Sequence, residues 1–349
     1  MKLRAVSLLA FLSTFACGAV APDGASDASP AEASADAAPD APSADAAPDA
    51  STSPASMATP RSLFGAVTGD DGRVRAFSGY SSLVLVNSVE AYDEGANVWT
   101  TGTPAKVSRY AHAVAKAANG DVWVIGGTGS GTAAIGNVEV YTPSSDSWTT
   151  APPIPTARLG LAAATSKDGR IFVIGGGATP SDATGVVEVW SPSTKSWSAG
   201  PAMPTARLAL QAVTGPDGLI YAIGGRDSDK NPLGTVEALD PDKGTWTTMP
   251  SLATGRYWFG ATLAHDGRIV VVGGIGDAGF LDSVEAMSAG GTWSALAPLP
   301  DPRGWLATAV TASGHVLALG GSIDDGVSSQ PPPLATVVSY DPATNHWNQ

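Results

Sequence analysis

Apolar and polar positions follow one another in a fixed order along most of this chain. From Ile171 to Ile174 every residue is apolar. The run is short enough for a strand and continuous enough to be covered on both faces. Asp168-Gly169 precedes it and is read as a two-residue type I′ hairpin turn. Gly175-Gly176 follows, where the backbone can turn without a clashing side chain. The same phrase returns at 217–225, at 266–274 and, with asparagine in front, at 119–127. Weaker copies stand at 313–321 and 71–79. Each copy sits among short segments separated by Gly, Pro, Asp and Ser. In the third unit the predicted strands are 159–165, 170–175, 186–190 and 196–199. No helical period appears, so the chain is predicted to be all-β.

Four markers keep one register through six units. The first glycine of each pair is Gly126, Gly175, Gly224, Gly273 or Gly320, with Ser78 in its place in the first unit. An arginine opens each unit: Arg61, Arg109, Arg158, Arg207, Arg256 and Arg303. A tryptophan closes each: Trp99, Trp148, Trp197, Trp246, Trp293 and Trp347. Between them stands a Val-Glu pair, as in Val138-Glu139 and Val187-Glu188, which the sixth unit replaces with Val337-Val338. Four strands per unit, with the second apolar on both faces, fit blades packed face to face around a ring.

The fourth unit runs from Asp217 as Asp-Gly-Leu-Ile-Tyr-Ala-Ile-Gly-Gly, then Val236-Glu237, Asp240-Pro241 and Trp246. This pattern resembles the kelch repeat over roughly 57–349. The resemblance implies a six-bladed β-propeller, with blades at about 61–104, 105–153, 154–202, 203–251, 252–298 and 299–349. It implies little about activity, because the fold hosts many functions. The last unit reaches Gln349 only two residues after Trp347. Met57 stands four residues before Arg61 as Met203 does before Arg207. The segment around Pro54–Met57 is therefore expected to supply the missing outer edge of blade six.

Composition changes the picture at the N-terminus. Residues 1–16 carry Lys2 and Arg4 and then an apolar run, too short to span a membrane and read as a signal peptide. Cys17, the only cysteine, follows it. This resembles a bacterial lipoprotein signal, which implies lipidation at Cys17 and a cell-envelope or surface location. Cleavage after Ala19-Val20-Ala21, giving a periplasmic or secreted protein, is the alternative. Residues 18–56 are almost wholly Ala, Pro, Asp and Ser, a composition that cannot bury enough surface to order itself. With Cys17 they are read as a lipidated, disordered linker over 17–56.

Residues 57–349 form the predicted propeller. Once Lys2, Arg4 and the seven acidic residues of 1–56 are set aside, 17 basic and 25 acidic residues remain there, a net of −8. That disfavours nucleic acid and anionic membranes as partners. With no cysteine in this span, thiolate metal sites are excluded, and so is a copper centre of the galactose oxidase type with its cysteine–tyrosine cross-link. The histidines His112, His265, His315 and His346 fall at unrelated repeat positions and are not expected to form a metal cluster. Asp227, Asp229 and Asn231 open like a calcium loop but lack its turn glycine. No cofactor and no metal are expected, and the propeller is expected to be monomeric.

Strand alternation places the six arginines and the loops after the glycine pairs at one mouth of the channel, with the Asp-Gly turns opposite. The arginines are expected chiefly to pair with the row glutamates, either within a blade or with the next one. Blade six lacks the glutamate and carries the longest loop, with Asp324, Asp325 and three prolines. The predicted ligand site is therefore Arg61, Arg303, Asp324 and Asp325, with Arg226 across the mouth. The functional expectation is a tethered, non-enzymatic propeller that binds a protein or glycan there. The alternative is a sugar mutarotase resembling bacterial N-acetylneuraminate mutarotases, with a loop carboxylate such as Asp324 or Asp277 as acid or base.

Overall fold

The computed structural model describes residues 53–82, 84–323 and 331–349. These residues fall in one compact unit, Ala50–Gln349, and form six four-stranded antiparallel sheets. Blade one comprises Gly65–Thr68, Val74–Ser81, Val84–Asp93 and Val98–Gly102. Blade three, typical of the rest, comprises Ala162–Thr165, Ile171–Ile174, Val187–Ser191 and Ser196–Ala199. Blade six closes the series with Ala307–Val310, Val316–Leu319, Val337–Asp341 and His346–Asn348.

The second strands explain the packing. Val122–Ile125, Ile171–Ile174, Ile220–Ile223, Ile269–Val272 and Val316–Leu319 are buried at every residue. Each presents alternate side chains to the blade before and the blade after. The core accordingly divides into six clusters, one per blade interface. Blades two and three meet through Trp123, Ile125, Ile171 and Trp190. Blades six and one meet through Leu317, Leu319, Val337, Phe64, Val74 and Met57, so the ring is closed. Burial of each such side chain contributes about 1.5–3 kcal/mol.

Two sequence expectations are corrected here. Blade six has its own outer strand, with Tyr340 opposite Trp347. The segment before Arg61 supplies a linker and no strand. Met57 N–H donates to Ala335 C=O, as Met203 N–H donates to Gly185 C=O. The Asp-Gly turns are also not type I′. Gly169 N–H donates to Ser166 C=O, and Ser166 N–H to Arg170 C=O. Only the glycine has positive φ, at 84°. This is an ordinary turn followed by a left-handed bulge residue, and the other five blades repeat the pattern.

Each closing tryptophan ties its blade to the preceding linker. Trp148 Nε1 donates to Thr103 C=O at 2.8 Å, Trp246 to Pro201 C=O at 2.9 Å and Trp347 to Ala297 C=O at 2.9 Å. Trp99 does the same to Ala55 of the N-terminal segment at 2.8 Å. All six tryptophans make this bond, so the row is architectural.

Candidate functional site: the loop-bearing rim

The opening arginines do not ring a mouth. All six are buried inside their blades. Arg109 meets Glu139 at 2.7 Å, Arg158 meets Glu188 at 2.7 Å, Arg207 meets Glu237 at 2.5 Å and Arg256 meets Glu285 at 2.7 Å. Arg61 is paired with Glu90 in the same way. Every pair lies within one blade. The glutamates also take linker amides: Glu139 accepts from Lys106 N–H at 2.9 Å, and Glu285 from Ala253 N–H at 2.8 Å. Each pair thus clamps a linker to its sheet. Arg61, expected at the ligand site, is engaged in this clamp, and Arg303 is the arginine left without a row glutamate. Asp324 and Asp325 lie outside the described residues.

A collar of backbone stands between the arginines and the inner strands. Leu63, Ala111, Gly160, Ala209, Trp258 and Trp305 all have φ between 51° and 60°. Each N–H donates to the carbonyl of the equivalent residue one blade earlier, at 2.7–3.0 Å, and Leu63 closes the circle on Trp305. This left-handed turn is why the inner strand of blade three begins at Ala162, three residues later than the predicted 159. The Trp258 indole reaches across the collar. Its Cη2 lies 3.2 Å from where a Gly160 Cβ would sit, so glycine is required there by close approach as well as by φ.

Inside the collar lies the central cavity, of about 680 Å³. Its walls are mainly Ala, Thr, Val and Gly of the inner strands, and it runs to the hairpin turns at Gly69, Asp70 and Ala312. Asp70, the lining carboxylate among the described residues, pairs with Lys116 at 2.7 Å at that far end. His112 lines the cavity and is buried, and neither ring nitrogen makes a hydrogen bond of good geometry, the Phe77 backbone being only a weak polar contact. Burial, and after it the charge of Arg109, push its pKa down to about 3. The imidazole is therefore neutral at ordinary pH.

Outside the collar the residues after the arginines and after the glycine pairs meet across blade boundaries. Tyr80 of blade one packs on Tyr110 of blade two, with ring centroids 5.7 Å apart. Arg226 of blade four lies over Tyr257 of blade five, 5.6 Å from its centroid. Phe280 of blade five meets Trp305 of blade six edge-on at 5.2 Å. All five aromatic residues are half-buried, each keeping part of its surface in solvent. Val84, at the tip of the blade-one hairpin on this side, is 64% exposed. Arg226 donates to Pro180 C=O, while its Nη1 is buried without a partner. Burial raises the pKa of the Tyr110 and Tyr257 phenols, so both remain hydroxyl groups. The Asp227 carboxylate accepts from the backbone and side-chain amides of Asn231, both at 2.8 Å.

Of the predicted site residues, the structure thus places Arg226 on the rim and puts Arg61 and Arg303 within their blades. Sequence reasoning missed Tyr80, Tyr110, Tyr257, Phe280 and Trp305. They stand at four different places in the repeat: Tyr110 and Tyr257 directly after the arginine, Trp305 two after it, Tyr80 directly after the glycine position and Phe280 further along that loop, so no common motif marked them.

The comparisons with known proteins agree with the fold. The kelch motif matches residues 109–155, 158–204 and 207–253, which are blades two, three and four. No curated protein sequence matches the chain. The solved structure of YjhT superposes with a TM-score of 0.71 at 16% identity, covering 84% of this chain and 99% of that one. At that identity the likeness concerns the fold alone, and with 796 solved chains matching it names no ligand. Three matched motifs, and six blades built on one plan, make this chain a six-bladed kelch-repeat β-propeller.

Proposed function

We propose that this protein is a recognition propeller that binds a protein or glycan partner on its loop-bearing rim, and that it is held at the bacterial cell envelope by a lipid on Cys17. The observation that carries the reading is the set of three aromatic contacts, Tyr80–Tyr110, Arg226–Tyr257 and Phe280–Trp305, spread around one mouth. Half-exposed aromatic faces give large contact area at low cost in side-chain entropy. Arg226 adds a positive charge beside Tyr257. Those aromatic faces suit sugar rings and the apolar side chains of an extended protein segment alike. The inner-strand walls of the cavity carry mainly small apolar and hydroxyl side chains, with His112 buried among them and Asp70 paired with Lys116 at the far end.

The test is a binding screen of the purified protein against a glycan array and a cell-envelope protein array. Tyr110→Ser with Arg226→Ser is expected to lose any hit by tenfold or more. Asp168→Asn with Asp266→Asn, in the opposite turns, is expected to keep it. Loss only in the turn variant would move the functional face to the hairpin side. Anomer exchange of a free sugar by the same preparation would replace this reading with the mutarotase one, with Asp277, in the turn before Phe280, as the carboxylate to mutate. Cys17→Ser is expected to shift the protein from the membrane to the soluble fraction, and an unchanged distribution would remove the anchor.

A further inference from the structure

Five blades hold a carboxylate in one repeated slot. It takes a guanidinium on one side and linker amides on the other. Glu285 accepts from Arg256 Nη2 at 2.7 Å and from Ala253 and Thr254 N–H at 2.8 and 3.4 Å. Blade six has the arginine but not the carboxylate. Val338 stands opposite Ala318, in the register where Glu237 stands opposite Ala222. Arg303 is nevertheless only 2% exposed. Its Nε and Nη1 have no hydrogen-bond partner, and the charge that acts on it is that of Asp301, outside the row slot. Asp301, two residues away, is exposed. At the linker, Pro300 lacks an N–H where Ala58 and Ala253 donate, while Asp301 keeps the next one. A buried cation without a directly bonded carboxylate is costly. The five filled slots show what relieves that cost.

We propose that the blade-six slot binds a small carboxylate anion, seated between the Arg303 guanidinium and the Asp301 amide, where the row glutamate sits elsewhere. A planar carboxylate matches the guanidinium fork. Valine ends at Cγ, one bond short of a glutamate's carboxyl carbon, so the atoms missing from this slot are those of an ion the size of formate or acetate. This site is independent of the rim reading, since it depends on no aromatic residue.

Thermal melts of the purified full chain test it, with formate or acetate compared against chloride at equal ionic strength. Wild type is expected to melt about 2–4 °C higher in formate. Val338→Glu, which restores the residue the other blades carry, is expected to melt higher in chloride and to lose the formate response. Arg303→Met is expected to lose the response as well. An equal formate effect in wild type and Val338→Glu would overturn the proposal. So would a citrate effect equal to that of formate, since citrate does not fit. A response seen only in Asp324→Asn with Asp325→Asn would mean that the chain fills its own slot, and the proposal would fall.

Discussion

His112 occupies a place that its repeat mates give to Phe64, Leu161, Leu210, Phe259 and Leu306. Those residues pack against glycines: a Cβ on Gly126 would lie 3.0 Å from Leu161 Cδ1. In blade one the glycine is replaced by Ser78, whose buried Oγ has no partner, so the two departures from the repeat stand at one interface. An unfolded imidazole titrates near 6.5, whereas the buried one stays neutral down to about 3. The folded value is the lower, so stability is complete above about pH 6.5 and is lost as pH falls toward 3. His112→Leu should remove that loss, gaining on the order of 1–2 kcal/mol relative to wild type between pH 8 and pH 5. Urea titrations at both pH values check this, and an equal difference at the two would contradict it. At this scale the sequence was partly legible. The arginine and glutamate rows pointed to a pair, but linear spacing could not say whether the partner lay in the same blade. The ion pairs settle it, Arg207 meeting Glu237 of its own blade as Arg158 meets Glu188.

At the scale of the element, linkers and strands hold one another. The tryptophan of the outer strand reaches back to the linker carbonyl, and the glutamate of the third strand takes the linker amides. Trp148, buried and packed on Phe77 and Tyr141, should cost about 3 kcal/mol as alanine, read by urea denaturation. An unchanged midpoint with altered binding would make it a ligand residue instead. Removing one partner of a clamp is expected to cost more than removing an exposed pair. Glu139→Gln should destabilise by about 3–5 kcal/mol, while Asp240→Asn, whose partner Lys243 is exposed, should change the urea midpoint little. Strand positions were legible because periodicity and turn residues coincide. The collar was not, because nothing in Leu63, Ala111 or Trp258 announces positive φ. That conformation is imposed by six neighbours closing a ring.

For the molecule as a whole, closure depends on residues before the first arginine. Met57 is buried between blades six and one as Met203 is between blades three and four. On the opposite face Ser313 N–H of blade six donates to Glu94 of blade one at 3.0 Å. Met57→Ala and Met203→Ala should therefore destabilise to similar extents, about 2–4 kcal/mol each. A neutral Met57→Ala would show that the N-terminal segment is dispensable for closure. The sequence carried the blade count and fold in full, because six units share four markers. The rim was illegible, since its residues are brought together across blade boundaries and share no motif. Hydrogen exchange of the protein with and without a bound partner tests the binding account most directly. Slowed exchange over 79–86, 226–233 and 275–283, with the turns at 166–170 and 264–268 unchanged, is the result expected. Protection confined to those turns would contradict it.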